Sequence, residues 1–189
     1  MDDGDYNFLK DYFNLDLQPV VSIMKAVSIQ RRANMPSDAG AIALPSSIDH
    51  IGVVVKDIDK TTKFLSSMWG LGPWQIMDYS TRKDEMIVGE PFKIKIAVAK
   101  LGPTVLELMQ PLEGRSFWSQ FLETKGEGID HIAFTVSNWD EIVSKAQEQG
   151  GKMVVGASFQ GKRWCCFDTG PGGIVVEFMD NFGLREEEK

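Results

Sequence analysis

Ile48-Asp49-His50-Ile51-Gly52-Val53-Val54-Val55-Lys56-Asp57-Ile58-Asp59 returns 81 residues later as Ile129-Asp130-His131-Ile132-Ala133-Phe134-Thr135-Val136-Ser137-Asn138-Trp139-Asp140, with six of twelve positions identical. Self-similarity of this kind marks a duplicated structural unit, so the chain has to be read as two copies of one module. Each copy begins as a strand and continues as a helix. In the first, Asp57 is placed to cap, Ile58, Leu65 and Trp69 fall on one helical face, and Gly70 ends the run. In the second, Asn138 and Glu141 have capping-box spacing, Trp139, Ile142, Val143 and Ala146 recur at helical spacing, and Gly150-Gly151 is the stop.

Three strand signals follow each helix: 74–79, 92–99 and 104–109 in the first copy, 152–155, 163–167 and 174–179 in the second. The closing strands match as well, Val105-Leu106-Glu107-Leu108-Met109 against Val175-Val176-Glu177-Phe178-Met179. The expected fold is therefore α+β, with two βαβββ modules at 48–112 and 129–180. Residues 113–128 join them, and Phe117, Trp118, Phe121 and Leu122 predict a short helix there. Residues 1–47 form an extension outside the repeat, with a helix expected over 20–32, and 181–189 is an acidic tail.

Composition narrows the function classes. The chain has 189 residues, 43% hydrophobic and 25% charged, which is ordinary for one globular domain. Its net charge of −7 disfavours a nucleic-acid partner, since phosphate neutralisation needs clustered Lys and Arg. No apolar run is long enough to span a bilayer, and the acidic N-terminus argues against a secretory signal. The two cysteines, Cys165 and Cys166, are adjacent and cannot form a cross-linking framework, so a reducing, cytoplasmic setting is expected.

The chain has two histidines, His50 and His131, and they occupy the same position of the repeat. Glu107 and Glu177 also correspond, each inside an apolar strand where a carboxylate is expensive to bury without a partner or a cation. A duplicated histidine or a strand glutamate is compatible with a purely structural role. Two of each at equivalent positions are better explained by a shared site. Two imidazoles and two carboxylates suit a divalent first-row metal, and an octahedral shell would keep two positions for substrate oxygens or waters.

This pattern resembles the vicinal oxygen chelate superfamily, which includes glyoxalase I, methylmalonyl-CoA epimerase, extradiol dioxygenases and antibiotic-resistance proteins. The resemblance covers roughly 48–180. It rests on His50 in the first strand, Glu107 in Leu-Glu-Leu-Met-Gln-Pro, His131 in Gly-Ile-Asp-His-Ile-Ala-Phe, and Glu177 in Val-Val-Glu-Phe. It implies a cupped mixed sheet around one divalent metal (Ni, Co, Zn or Mn) held by His50, Glu107, His131 and Glu177.

The resemblance also implies an isomerase, epimerase or lyase that transfers a proton next to a carbonyl through a metal-stabilised enolate, with Glu177 as both ligand and base. The implied substrate is a small molecule with adjacent oxygens or a thioester, and relatives imply a homodimer. Two alternatives are a non-haem iron dioxygenase and a non-catalytic, resistance-type binding protein. Methylmalonyl-CoA epimerase carries an additional Glu on a middle strand of its first module, whereas the corresponding region here reads Phe92-Lys93-Ile94-Lys95-Ile96-Ala97. Lys162 and Arg163 are expected to be solvent-facing strand ends, and Trp74, Trp118, Trp139 and Trp164 to be core or interface residues.

Overall fold

The computed structural model describes residues 42, 44, 45 and 47–182. The helix expected over 20–32 and most of the acidic tail, 183–189, lie outside the described residues. Among the described residues no helix is long and apolar enough to cross a membrane.

The first module contains β1 (His50–Val54), α1 (Ile58–Trp69), β2 (Gln75–Ser80), β3 (Met86–Val88), β4 (Lys93–Leu101) and β5 (Thr104–Glu113). A joining helix, α2 (Phe117–Lys125), leads into the second module: β6 (Gly128–Thr135), α3 (Trp139–Glu148), β7 (Lys152–Phe159), β8 (Lys162–Asp168) and β9 (Val175–Met179). All nine strands form one sheet in the order β2-β4-β5-β1-β6-β9-β8-β7-β3. β1 runs parallel to β5 and β6 parallel to β9, while β1 and β6 meet antiparallel at the centre. The two βαβββ units thus face each other across the β1–β6 seam, as the repeat implied.

Strand β3 was not anticipated. It leaves the first module and pairs with β7 at the far edge of the sheet from β2. Nine strands laid flat would separate the outer two by about 38 Å. The five-residue link Thr81–Glu85 between β2 and β3 spans at most about 20 Å. The sheet must therefore curl, and the Tyr79 ring of β2 accordingly meets Phe159 of β7 and Trp164 of β8.

Curling divides the core. Val54, Ile94, Met109, Trp118, Ala133, Trp164, Cys166 and Met179 cluster on the inner face. Outside, α3 packs Trp139, Ile142, Val143 and Ala146 on Phe134, Cys165, Phe167 and Phe178. α1 sets Ile58 and Leu65 against Ala97 and Leu108. Alternation along β8 sends Cys165 outward and Cys166 inward, so two adjacent thiols serve two different cores. Both are free and buried, and burial raises their pKa values, to about 12 for Cys165 and well above its ordinary value for Cys166.

The helix ends follow the sequence signals with two exceptions. The Asp57 carboxylate accepts from the Lys60 backbone N–H at 2.9 Å, and Gly70 takes the left-handed conformation (φ 67°) that closes α1. Trp69, expected on the buried face with Ile58 and Leu65, is 71% exposed. The whole last turn, 66–69, is exposed, because helical periodicity fixes an angle but not how far the covering sheet extends. At α3 the capping box does not form. Asn138 donates instead to the Glu141 carboxylate at 2.9 Å, and its side chain makes no cap to the helix backbone.

Candidate metal centre

The four central strands, β5-β1-β6-β9, bring the sequence-predicted residues together. Gly52 is in register with Glu107 on one side and with His131 on the other, while Ala133 is in register with Glu177. His50 lies two residues before Gly52, so it shares the Gly52 face of the pleat. A Cβ built on Gly52 would lie 2.1 Å from His131 Cε1, so glycine is required for that imidazole to lie flat over the strand.

The donor atoms converge. His50 Nε2 is 3.1 Å from His131 Nε2, 3.1 Å from Glu177 Oε2 and 3.3 Å from Glu107 Oε2. His131 Nε2 is 2.9 Å from Glu177 Oε2 and 3.9 Å from Glu107 Oε2. Both imidazoles are 2% exposed and Glu177 is 8% exposed. Donors about 2.1 Å from a common ion are separated by about 3 Å when adjacent and about 4 Å when opposite, and these distances match that polyhedron.

Each imidazole is oriented from behind by the residue before it. His131 Nδ1 lies 2.8 Å from Asp130 Oδ2, and His50 Nδ1 lies 3.3 Å from Asp49 Oδ1. With Nδ1–H donated to a carboxylate, Nε2 presents its lone pair to the cluster, an arrangement typical of metal-ligating histidines. Asp49 Oδ2 also accepts from the Thr135 hydroxyl at 2.7 Å, whereas Asp130 Oδ1 is buried without a partner.

Burial opposes charge on both imidazoles, but the carboxylates override it. His50 is raised well above its ordinary value by Glu107, Asp49 and Glu177, and His131 is pushed up to about 10 by Asp130 and Glu177. Burial likewise favours the neutral acid at Glu177, yet its contacts with His131 and His50 hold it down at about 2. Four carboxyl groups, of Asp49, Glu107, Asp130 and Glu177, thus meet two imidazoles in one cluster, a donor set that fits a divalent cation.

The cluster opens on a cavity of about 270 Å³, to which His50, Glu107 and Glu177 contribute. Its remaining wall is largely apolar, with Ile94, Ile96 and Val98 of β4, Met109, Trp118 and Trp164 among its members. Trp118 and Trp164, expected as core or interface, belong to the inner core and also line the cavity. Trp139 belongs to the outer core, and Trp74 donates its indole N–H to Ser66.

Neither Lys93 nor Lys95 lines the cavity; Lys93 lies 3.4 Å from the Asp78 carboxylate and Lys95 4.0 Å from that of Asp59. The inward positions of β4 thus carry no carboxylate. Arg163 is held by Asp140 and Asp180 and stacks on Trp139, and Lys162 bonds the Asn181 carbonyl; neither lines the cavity.

Asp49, Asp130 and Gly52 complete the site beyond the four residues expected from the sequence. Both aspartates lay within the identical Ile-Asp-His-Ile of the repeat, which was signal enough. The need for Gly52 arises from inter-strand register, which has no local signature.

A duplicated βαβββ sheet curled around a buried His₂Glu₂ cluster defines a glyoxalase-like protein. Residues 49–167 match the family model of the Glyoxalase/Bleomycin resistance protein/Dioxygenase superfamily, and the chain belongs to that superfamily. It is 29% identical over 145 residues to the uncharacterized protein YqjC of Bacillus subtilis, covering 75% of this chain and 96% of that protein. The structure of hypothetical protein BH1468 from Bacillus halodurans superposes with a TM-score of 0.56 at 24% identity, covering 76% of this chain and 97% of that one. A variant Streptomyces coelicolor methylmalonyl-CoA epimerase in complex with 2-nitronate-propionyl-CoA gives 0.59 at 21% identity, covering 76% and 99%. These likenesses show the shared fold.

Proposed function

We propose that this protein is a divalent-metal-dependent isomerase, epimerase or lyase that moves a proton on the carbon next to a carbonyl. The observation that carries this reading is the convergence of the His50, His131, Glu107 and Glu177 donor atoms, at 2.9 to 3.9 Å, in a cluster that reaches one cavity through His50, Glu107 and Glu177. A divalent ion held by these four residues supplies Lewis-acid polarisation of a substrate oxygen.

The chain's own residues do the rest. Asp49 and Asp130 fix the two rings with Nε2 facing inward. Glu177 is ionised at neutral pH and makes both imidazole contacts through Oε2, so Oε1 is the oxygen that takes the proton from carbon and returns it. The apolar wall excludes water from the carbanionic carbon. Ile94, Ile96 and Val98 stand where an epimerase with a base on β4 would need a carboxylate, so a single-base, glyoxalase-like proton shuttle is favoured over a two-base epimerase. All four candidate ligands come from one chain, and the homodimer expected from relatives is retained as part of this proposal.

The test has two parts. Protein purified without added metal should contain, or take up, close to one Ni, Co, Zn or Mn per chain. The loaded protein should accelerate deuterium exchange at C3 of 2-oxo-4-phenylbutanoate, followed by NMR. Failure to bind any of these ions would overturn the reading. A second reading, a non-haem iron dioxygenase, is favoured by one feature: His50, His131 and Glu177 form the tightest set, with Glu107 farther from His131. Oxygen uptake that depends on Fe(II) would select it.

A further inference from the structure

His50, Glu107 and Glu177 bring the cluster to the cavity. Beyond them the wall is built from Met77, Ile94, Ile96, Val98, Met179 and the aromatic rings; Asp78 is its one further charged residue, and it includes neither lysine nor arginine. A carboxylate or phosphate on the body of a substrate would therefore be desolvated there without a cation to meet it. One hydrogen-bond donor breaks the apolar wall, since the unpartnered indole N–H of Trp118 is sealed inside the core and has no accessible surface to offer a ligand. The Tyr79 hydroxyl accepts from the Trp164 indole N–H at 3.2 Å, which leaves its own proton to donate elsewhere. Burial raises the Tyr79 pKa, so that proton stays in place at neutral pH. Leaving such a donor unsatisfied is costly, and a ligand that satisfies it gains selectivity over one that cannot.

We infer that the cavity selects a compact substrate whose body is uncharged and apolar, preferably aromatic, and carries a neutral hydrogen-bond acceptor for Tyr79. Only the chelating head of that substrate rests on the metal-dependent reading above. The body is specified by the wall alone.

Calorimetric titrations separate the two. On zinc-loaded protein, 2-oxo-4-phenylbutanoate and 2-oxoglutarate present the same 2-oxo acid head and differ by a phenyl ring against a carboxylate. The phenyl compound should bind at least tenfold more tightly, and equal or tighter binding of 2-oxoglutarate would overturn the inference while leaving the metal site standing. On metal-free protein, acetophenone and ethylbenzene match in shape and differ by one acceptor. Acetophenone should bind at least fivefold more tightly, and that advantage should collapse in Tyr79→Phe. An acetophenone-to-ethylbenzene ratio near one in the unmodified protein, or a ratio kept by Tyr79→Phe, overturns it. Should acetophenone bind as expected while neither 2-oxo acid gains affinity from zinc, the specificity of the wall is upheld and the metal-dependent reading falls.

Discussion

The two modules descend from one repeat, yet they do not contribute equally to the site. Module two supplies the shorter contacts: Glu177 reaches both imidazoles at 2.9 and 3.1 Å, whereas Glu107 of module one stands at 3.3 and 3.9 Å. Asp130 grips His131 at 2.8 Å, while Asp49 is 3.3 Å from His50 and divides its carboxylate with Thr135. Module one supplies the space. Gly52 gives room to the His131 ring, whereas its counterpart in module two is Ala133, which is fully buried. The ladder between β1 and β6 also shifts register between Gly52 and Val53, placing an irregularity beside Asp130 and none beside Asp49. Duplication therefore provided two equal half-sites, and local divergence has specialised one half for holding donors tightly and the other for accommodating them.

The largest expected effect comes from filling that space. Gly52→Ala puts a methyl group 2.1 Å from a fully buried imidazole that cannot swing away. Overpacking of this kind costs about 1–3 kcal/mol, and the displaced His131 should lose metal binding altogether. Metal content and Tm measure the two parts. The mirror substitution, Ala133→Gly, removes a methyl group without displacing a ligand, so it should cost about 1 kcal/mol and keep the metal. Equal metal loss in both variants would show that the halves are not specialised.

Next comes the pair of carboxylates. Glu177→Gln keeps an amide oxygen for coordination but cannot accept a proton at neutral pH. Exchange activity on 2-oxo-4-phenylbutanoate should fall by about 10² to 10⁴ while metal occupancy falls much less. Glu107→Gln should leave activity within about tenfold, because in the proposed mechanism that side chain coordinates and moves no proton. Unchanged exchange in Glu177→Gln would remove the residue from the mechanism and reverse the ranking of the modules.

How much of this asymmetry could be read beforehand follows from its physical origin. The repeat, the doubled strand–helix–strands pattern and the identities of His50, Glu107, His131 and Glu177 all follow from local alternation and self-similarity. Asymmetry is carried by register and by curvature, which are properties of strand pairing across long separations. Strand β3 has only three residues and crosses to the opposite edge, so no local periodicity marks it. Trp69 shows the same limit, since its angle was right and its burial was decided by where the sheet stops.

Protonation sharpens the comparison further. In the metal-free protein His131, at about 10, is an imidazolium at pH 7, and His50 is raised as well. A folded-state pKa raised above 6.5 contributes stability that is complete below pH 6.5 and is lost as pH rises through about 10. Glu177, lowered to about 2, contributes stability present above its ordinary 4.5 and lost as pH falls through about 2. The metal-free cluster should therefore stabilise the fold most between pH 4.5 and 6.5. Metal uptake must expel the imidazolium protons, so affinity should rise about tenfold per pH unit for each proton displaced, up to about pH 10. Calorimetry in buffers of different ionisation enthalpy would count those protons, and uptake without proton release would contradict the assignment. Asp130→Asn should weaken metal binding by about 10- to 100-fold and Asp49→Asn by less, since Asp130 makes the closer contact.

The smallest effect tests the symmetry itself. Thr135, which bonds Asp49, corresponds in the repeat to Val54, and Asp130 Oδ1 is the buried oxygen that lacks such a partner. Val54→Thr would offer Asp130 the hydroxyl that Thr135 gives its counterpart. Burying an unpaired hydroxyl costs about 1–3 kcal/mol, which is the expectation for Val155→Thr, a comparably buried valine of the same core. If the modules still superpose at this depth, the new hydroxyl finds Asp130 and Val54→Thr should cost less than about 1 kcal/mol by denaturant titration. An equal cost at both positions would mean that the irregularity between Gly52 and Val53 has carried the Asp130 carboxylate out of reach. The missing partner would then be a consequence of backbone divergence rather than of one residue's identity.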